Sequence, residues 1–589
     1  MLGILTANII KKEDVFMNTL VIVLIAVVVL GLGYVLYGRH IAKKWGIDPK
    51  AETPAVKYND GKDYVPTNGW TVFSHQFSSI AGAGPVTGAI QAAVFGWLPV
   101  LLWILIGGVF FGAVTDFGAL YASVKNQGKS MGMLIEKYIG KLGRKLFLLF
   151  CWLFSLLIIA VFADMVSGTF TAFDAVSGAK LATASTNGSA GMVSIMFMLF
   201  AVVFGLIQKK FNFSGWKEFV LGVVFIVVSF AIGMKVPIIL GKDGWSYIVF
   251  AYIFIAAIMP IWLMKQPRDY MTTIMFVCMI VGAALGLIIG HPTMNLPVFT
   301  GFKNEQLGTM FPILFVTVAC GAVSGFHSLV SSGTSSKTIA NEKDMLKVGY
   351  GAMILESVLA VLALCVAGAA AKNGIPAEGT PFQIFSRGVA GFFEKMGLSV
   401  HFSTVFMTMC VSALALTTLD AVARIGRMSF QELFSVDDMK NAKPWRKLLC
   451  NTYFSTIFTL ACGFVLTKIG YQTIWPLFGS ANQLLSALVL ITLCVFLKVT
   501  GRSNKMLFPP MIIMLCVTFT ALIQRVVGLV KSLVAGQEIF ASVIQLVVAV
   551  LLITLALIIA VNSFKSYVRS KKGSEVEETE KTEKTPVNE

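Results

Sequence analysis

The sequence predicts an all-α fold, a polytopic transmembrane helical bundle of about 15 spans with discontinuous helices and inverted-topology repeats. Composition, the length of the apolar runs and the placement of basic residues carry that prediction. Of the 589 residues, 56% are hydrophobic and only 13% are charged, with a mean hydropathy of +0.80. Soluble domains carry about 25% charged residues, which excludes a soluble fold. The apolar residues come in runs of about 20, the length that crosses a ~30 Å hydrocarbon layer at 1.5 Å per residue. The short period-two segments of an outer-membrane barrel are not seen, so the spans are helices.

In chain order the spans fall at 17–37, 70–95, 98–122, 146–173, 190–208, 218–240, 245–264, 270–290, 308–331, 348–372, 400–422, 448–467, 472–498, 507–530 and 538–564. Arg39, Lys43 and Lys44 follow the first run where a signal peptide would have small residues, so this run is a retained helix. Met17 is an alternative start, which would make residues 1–16 an extension rather than an extracytoplasmic N-terminus. Residues 17–564 form the membrane domain, and the polar tail 565–589, ending EVEETEKTEKTPVNE, is expected to be cytoplasmic and disordered.

Charge fixes an expected orientation. With the N-terminus outside and the spans alternating, 35 of the 47 Lys and Arg residues fall in cytoplasmic segments and only Lys235 and Arg525 lie within spans. An extra or missing span would invert this bias downstream, so the count is expected to be odd. The net charge of +17 lies in short loops without a nucleic-acid motif, which points to the cytoplasmic face of the bilayer as its partner. The nine cysteines lie in or beside apolar runs with no CxxC pair, and read as packing residues rather than disulfides or metal ligands. No cofactor is expected.

Three segments break the rule that lipid tolerates only regular helices. Residues 73–97 place Gly82, Gly84, Pro85 and Gly88 in mid-run, where Pro85 is expected to open a second half-helix whose N–H groups attract a carboxylate. Residues 320–339 set Gly321, Gly325 and Gly333 among Ser324, Ser328, Ser331, Ser332, Thr334, Ser335 and Ser336, with His327 in their midst. Residues 474–487 hold Pro476, Gly479, Ser480, Asn482 and Gln483. For each, tight small-residue helix packing is the plain structural alternative. The first two belong to the second and ninth spans, which cross in opposite directions. That is the signature of inverted repeats around a midplane site, whether the unit is five helices or seven. His75 precedes Ser79, and His327 precedes Ser331, by the same four residues.

Ionisable groups inside spans cost about 2.5–3.5 kcal/mol at a helix centre and so mark function. Asp164 and Glu356 lie deep in apolar runs, while Asp116 and Asp420 sit nearer the cytoplasmic ends. Asp116, Asp164 and Glu356 are the candidates for proton coupling, with a structural hydrogen bond the alternative for Asp116. Asp420 is expected to pair with Arg424 at i+4. No basic residue is expected at mid-membrane, which leaves backbone N–H groups to bind an anion.

At these same segments the chain resembles the carbon starvation protein A family of bacterial inner-membrane proteins. The matching stretches are HQFSSIAGAGPVTGAIQAAVFGWLPVLLWI at 75–104, GGVFFGAVTDFGAL at 107–120, CGAVSGFHSLVSSGTSSK at 320–337 and WPLFGSANQLLSAL at 475–488. The family is linked to peptide uptake in carbon starvation and includes pyruvate/proton symporters. The resemblance therefore implies a secondary transporter importing a small carboxylate or short peptides with protons. On both readings the substrate site gathers His75, Ser79, Gly82, Gly84, Pro85, Ser324, His327, Ser331, Ser332 and Asn482. Sodium remains open as the coupling ion, since hydroxyls and unwound carbonyls suit it too. A channel would show rings of charge, which are not seen. Two further alternatives are a nutrient sensor without transport, and an intramembrane serine hydrolase built on Ser324 and His327.

Overall fold

A computed structural model describes residues 18–60, 64–174, 177–211, 215–259, 263–305, 307–436 and 441–573. The expectations for residues 1–16, for Met17 and for the tail beyond residue 573 lie outside the described residues. The helices are α1 (Thr19–Trp45), α2 (Gly69–Ile80), α3 (Gly84–Phe95), α4 (Trp97–Lys125), α5 (Met131–Tyr138), α6 (Lys141–Phe170), α7 (Ala184–Phe211), α8 (Trp216–Lys235) and α9 (Lys242–Ile258). Then follow α10 (Lys265–Gly290), α11 (Met310–Thr317), α12 (Gly325–Gly333), α13 (Glu342–Ala370), α14 (Pro381–Lys395) and α15 (Val400–Phe434). The chain closes with α16 (Thr452–Thr467), α17 (Tyr471–Val499), α18 (Lys505–Val534) and α19 (Ile539–Arg569). A two-residue hairpin, Lys303–Asn304 with Gly308–Thr309, precedes α11.

Eleven helices among the described residues are long and apolar enough to cross a membrane. The other four expected spans differ in form. Residues 70–95 and 308–331 are each two short helices around a break, while α9 and α16 have 17 and 16 residues. Residue 423 was expected to begin a loop, but α15 runs on to Phe434 and carries Arg424 and Arg427 inside a helix.

The bundle is layered by burial. The middle of α17 is wholly enclosed and those of α6 and α15 nearly so, whereas α1 is only 22% buried and α18 and α19 turn most of their apolar side chains outward. Polarity follows: α17, which carries Asn482, Gln483, Ser480 and Ser486, lies where no lipid reaches it. The third irregular segment, 474–487, is thus a continuous helix. Pro476 sits early in α17, where it removes a single ladder bond, and the polar residues that follow serve neighbouring helices.

Both expected breaks are present. The first, at 81–83, separates α2 from α3; the second, at 318–324, separates α11 from α12. At the second break several loose backbone groups are taken up by side chains, as an apolar surrounding demands. Phe315 O accepts from Trp103 Nε1 at 3.2 Å and Gln483 Nε2 at 2.7 Å, and Thr317 O accepts from Trp475 Nε1 at 3.2 Å. At the start of α12, Asn482 Oδ1 accepts from Phe326 N at 3.1 Å, while the Asn482 amide and the Ser324 hydroxyl lie within hydrogen-bond reach of each other. The breaks also touch. A Cβ on Gly84 would stand 2.4 Å from Cys320 Sγ, so only glycine lets α3 begin there.

Candidate functional site

Asp116, His327 and Glu356 converge from three elements. His327 lies on the first turn of α12, directly after the second break; Asp116 comes from α4 and Glu356 from α13. His327 Nδ1 is 2.9 Å from Asp116 Oδ2, and His327 Nε2 is 3.3 Å from Glu356 Oε2, with all three side chains at most 1% exposed. The Nδ1 contact has hydrogen-bond geometry, and with Nδ1 protonated the ring donates to Asp116. The Nε2 contact is close but misaligned, which leaves Asp116 Oδ1, His327 Nε2 and both Glu356 oxygens without a hydrogen-bond partner.

Wide turns aim the two carboxylates. α4 has a π-helical turn at Gly108–Gly112 and α13 one at Leu346–Gly351, each a short way before its acid. One extra residue in a turn rotates everything beyond it by about 100° around the axis. The two wide turns brace one another: Tyr350 Oη donates to Val109 O at 2.8 Å. Asp116 and Glu356 thereby face the same imidazole from neighbouring helices.

The remaining expected residues divide. Gly84 and Pro85 open α3 at the crossing of the breaks, and Gly82 packs against Thr418 of α15. Ser324 and Asn482 bind each other at the start of α12. Ser331 Oγ accepts from Gln76 Nε2 at 2.8 Å, and Ser332 Oγ accepts from Met131 N at 3.1 Å. His75 and Ser79 are only part-buried on α2, because the helix turns the neighbouring Gln76, wholly buried, into the bundle instead. Asp164 is not brought to the triad. It pairs with Lys242 Nζ at 2.7 Å and caps α17, accepting from Tyr471 N at 2.9 Å. A serine–histidine dyad is not formed, since Ser324 bonds Asn482 while the His327 ring nitrogens face the two acids.

The expected Asp420–Arg424 pair is present at 3.1 Å, but it has company. Arg268, expected in a loop, lies in the first turn of α10 at 1% exposure, 3.1 Å from Asp420 and 3.0 Å from Asp269, and also bonds Tyr252 Oη. Buried basic groups are therefore present, although locked to acids and not at the triad. Gln76, Tyr350 and Arg268 are the residues to which the sequence assigned no role. A lone polar side chain in an apolar run was the only available signal for Gln76.

A polytopic helical bundle with two interrupted helices crossing at its centre, and an enclosed titratable triad beside the crossing, defines a membrane transporter. The family model described as "Carbon starvation protein CstA" matches residues 18–375 and 369–521. The chain belongs to the carbon starvation protein CstA family. The peptide transporter CstA of Escherichia coli (strain K12) is 31% identical over 82% of this chain and 77% of that one. The pyruvate/proton symporter BtsT of the same strain is 31% identical over 85% of this chain and 81% of its own. The peptide transporter CstA of Bacillus subtilis (strain 168) is 28% identical over 94% of this chain and 98% of that one.

Proposed function

We propose that this chain is a proton-coupled importer of a small carboxylate or a short peptide in the bacterial cytoplasmic membrane, with Asp116, His327 and Glu356 as its proton site. The observation that carries the reading is the enclosed triad itself, with three carboxylate oxygens and one ring nitrogen unpartnered. An unpaired carboxylate in a dry core is prohibitively costly. Glu356 is therefore the member of the triad placed to carry the coupled proton and to pass it to His327 Nε2, 3.3 Å away. Asp116 holds the ring by its Nδ1 side, so the exchanging nitrogen points at Glu356. Sodium is served less well, because an imidazole occupies the middle of the cluster where oxygen ligands would be needed.

The substrate carboxylate is assigned to the first turn of α3, at Gly84 and Pro85, where the two breaks meet and the helix dipole favours an anion. The charge tally supports a C-terminus on the cytoplasmic side and an N-terminus outside. The test is uptake of labelled pyruvate and of a labelled dipeptide into proteoliposomes under proton and sodium gradients imposed separately. Accumulation of either substrate driven by the proton gradient alone is expected. Accumulation that follows only the sodium gradient would overturn the coupling ion, and no accumulation of either substrate would overturn the function.

A further inference from the structure

Gln76 is wholly buried in α2, yet both ends of its amide are bonded across to the second interrupted helix and the turn that follows it. Its Nε2 donates to Ser331 Oγ at 2.8 Å and its Oε1 accepts from Ser335 Oγ at 2.6 Å. Ser331 lies one helical turn beyond His327 on α12. Moving α12 away from α2 must break both bonds and also draw His327 off Asp116 and Glu356. The other ties at this end include charged ones, Lys337 Nζ over the Tyr64 ring at 5.4 Å and a Lys125–Glu342 pair between α4 and α13, but those that join α2 and α12 directly are hydrogen bonds between neutral groups. Val65 N donates to Lys337 O at 3.2 Å and Thr67 N to Thr338 O at 2.9 Å, so the chain entering α2 runs beside the chain leaving α12. Ser123 Oγ donates to Ser332 O at 3.1 Å. Neutral hydrogen bonds exchange for water at little net cost, which suits a contact that must open in every cycle. The opposite side is closed differently, by backbone bonds from Trp97 N and Leu98 N to Pro297 O and Val298 O at 3.1 and 3.2 Å.

We infer that Gln76 is the latch closing the cytoplasmic side of the site, a positioning residue that holds α12 and its histidine in place until the bundle opens inward. The inference rests on the carrier reading and on the orientation above, and is independent of which ion is coupled.

The test reads the rate at which N-ethylmaleimide alkylates Cys320 in inside-out vesicles, resolved by peptide mass spectrometry. Cys320 sits at the crossing of the breaks, while Cys151, enclosed in α6, reports general loosening. Gln76→Met keeps the volume and removes both bonds. It is expected to speed Cys320 labelling about tenfold with Cys151 unchanged. Ser331→Ala with Ser335→Ala is expected to do the same, and combining all three substitutions to add nothing. The serine pair reads the latch even if Gln76→Met fails to insert. Unchanged Cys320 labelling, a matching rise at Cys151, or additive effects would overturn the latch. Absence of uptake by the unsubstituted protein would instead sink the carrier reading.

Discussion

Arg268 shows how much a single buried residue can depend on its neighbours. Its guanidinium has no solvent to turn to, and Asp420 faces it from α15 while also accepting from Arg424 Nε. Breaking a buried pair by removing one partner costs about 3–5 kcal/mol, because the other charge is stranded. Arg268→Met leaves Asp420 paired with Arg424 and should lower the unfolding temperature in detergent modestly, whereas Asp420→Leu deprives both arginines of their shared acid and should lower it markedly. Equal losses from the two variants would show that Asp420 does not hold the two arginines together. At this scale the sequence was partly readable. Asp116, Glu356 and His327 stood out because ionised groups are rare in spans. That two of them flank the imidazole of the third was not readable, since the pairing joins residues 211 apart across two elements. Gln76 and Arg268 escaped because one was uncharged and the other lay at a span's edge, where arginine ordinarily reaches water.

The elements explain how irregular backbone survives in an apolar bundle. Several loose ends at the second break have dedicated partners: Asn482 at the start of α12, and Trp103, Trp475 and Gln483 at the last turn of α11; Asp164 does the same at the start of α17. α9, short for a span, has its final carbonyls taken by Arg424 and Arg427 reaching across from α15. The glycines and Pro85 located both breaks in advance, because removal of a Cβ or an N–H acts on the residue's own backbone. The third segment misled for the same reason. Its proline and polar residues marked service to other helices, and composition alone does not separate a helix that breaks from one that supports a break. Gly84 gives a direct check on the crossing. Gly84→Leu would drive a side chain into Cys320, and it should abolish uptake while membrane insertion and expression persist. Undiminished uptake by that variant would remove the substrate carboxylate from α3.

Among the described residues, burial sorts the helices into an inner set that carries the buried polar groups and an outer set that turns apolar side chains outward. The inner helices α4, α13 and α17 supply Asp116, Glu356 and Asn482, and α1, α18 and α19 supply mostly apolar surface. The class of fold was readable from composition because the bilayer imposes it on any chain this apolar. The number of spans was harder to read: eleven helices among the described residues are long enough to cross, and the other four expected spans are interrupted or short. The positive-inside bias predicts that a reporter fused after the last residue is active only when cytoplasmic and that one fused ahead of α1 is active only when exported. The opposite pattern would invert the proposed import direction and the side that Gln76 closes.

The most direct measurement is the proton flux elicited by substrate. In proteoliposomes enclosing a pH-sensitive dye, adding pyruvate or a dipeptide outside should acidify the lumen in step with uptake. Glu356→Gln, which is similar in volume but does not ionise, should abolish that acidification while still exchanging labelled for unlabelled substrate. Acidification that persists in Glu356→Gln at the rate of the unsubstituted protein would contradict the account and move the proton site away from the triad.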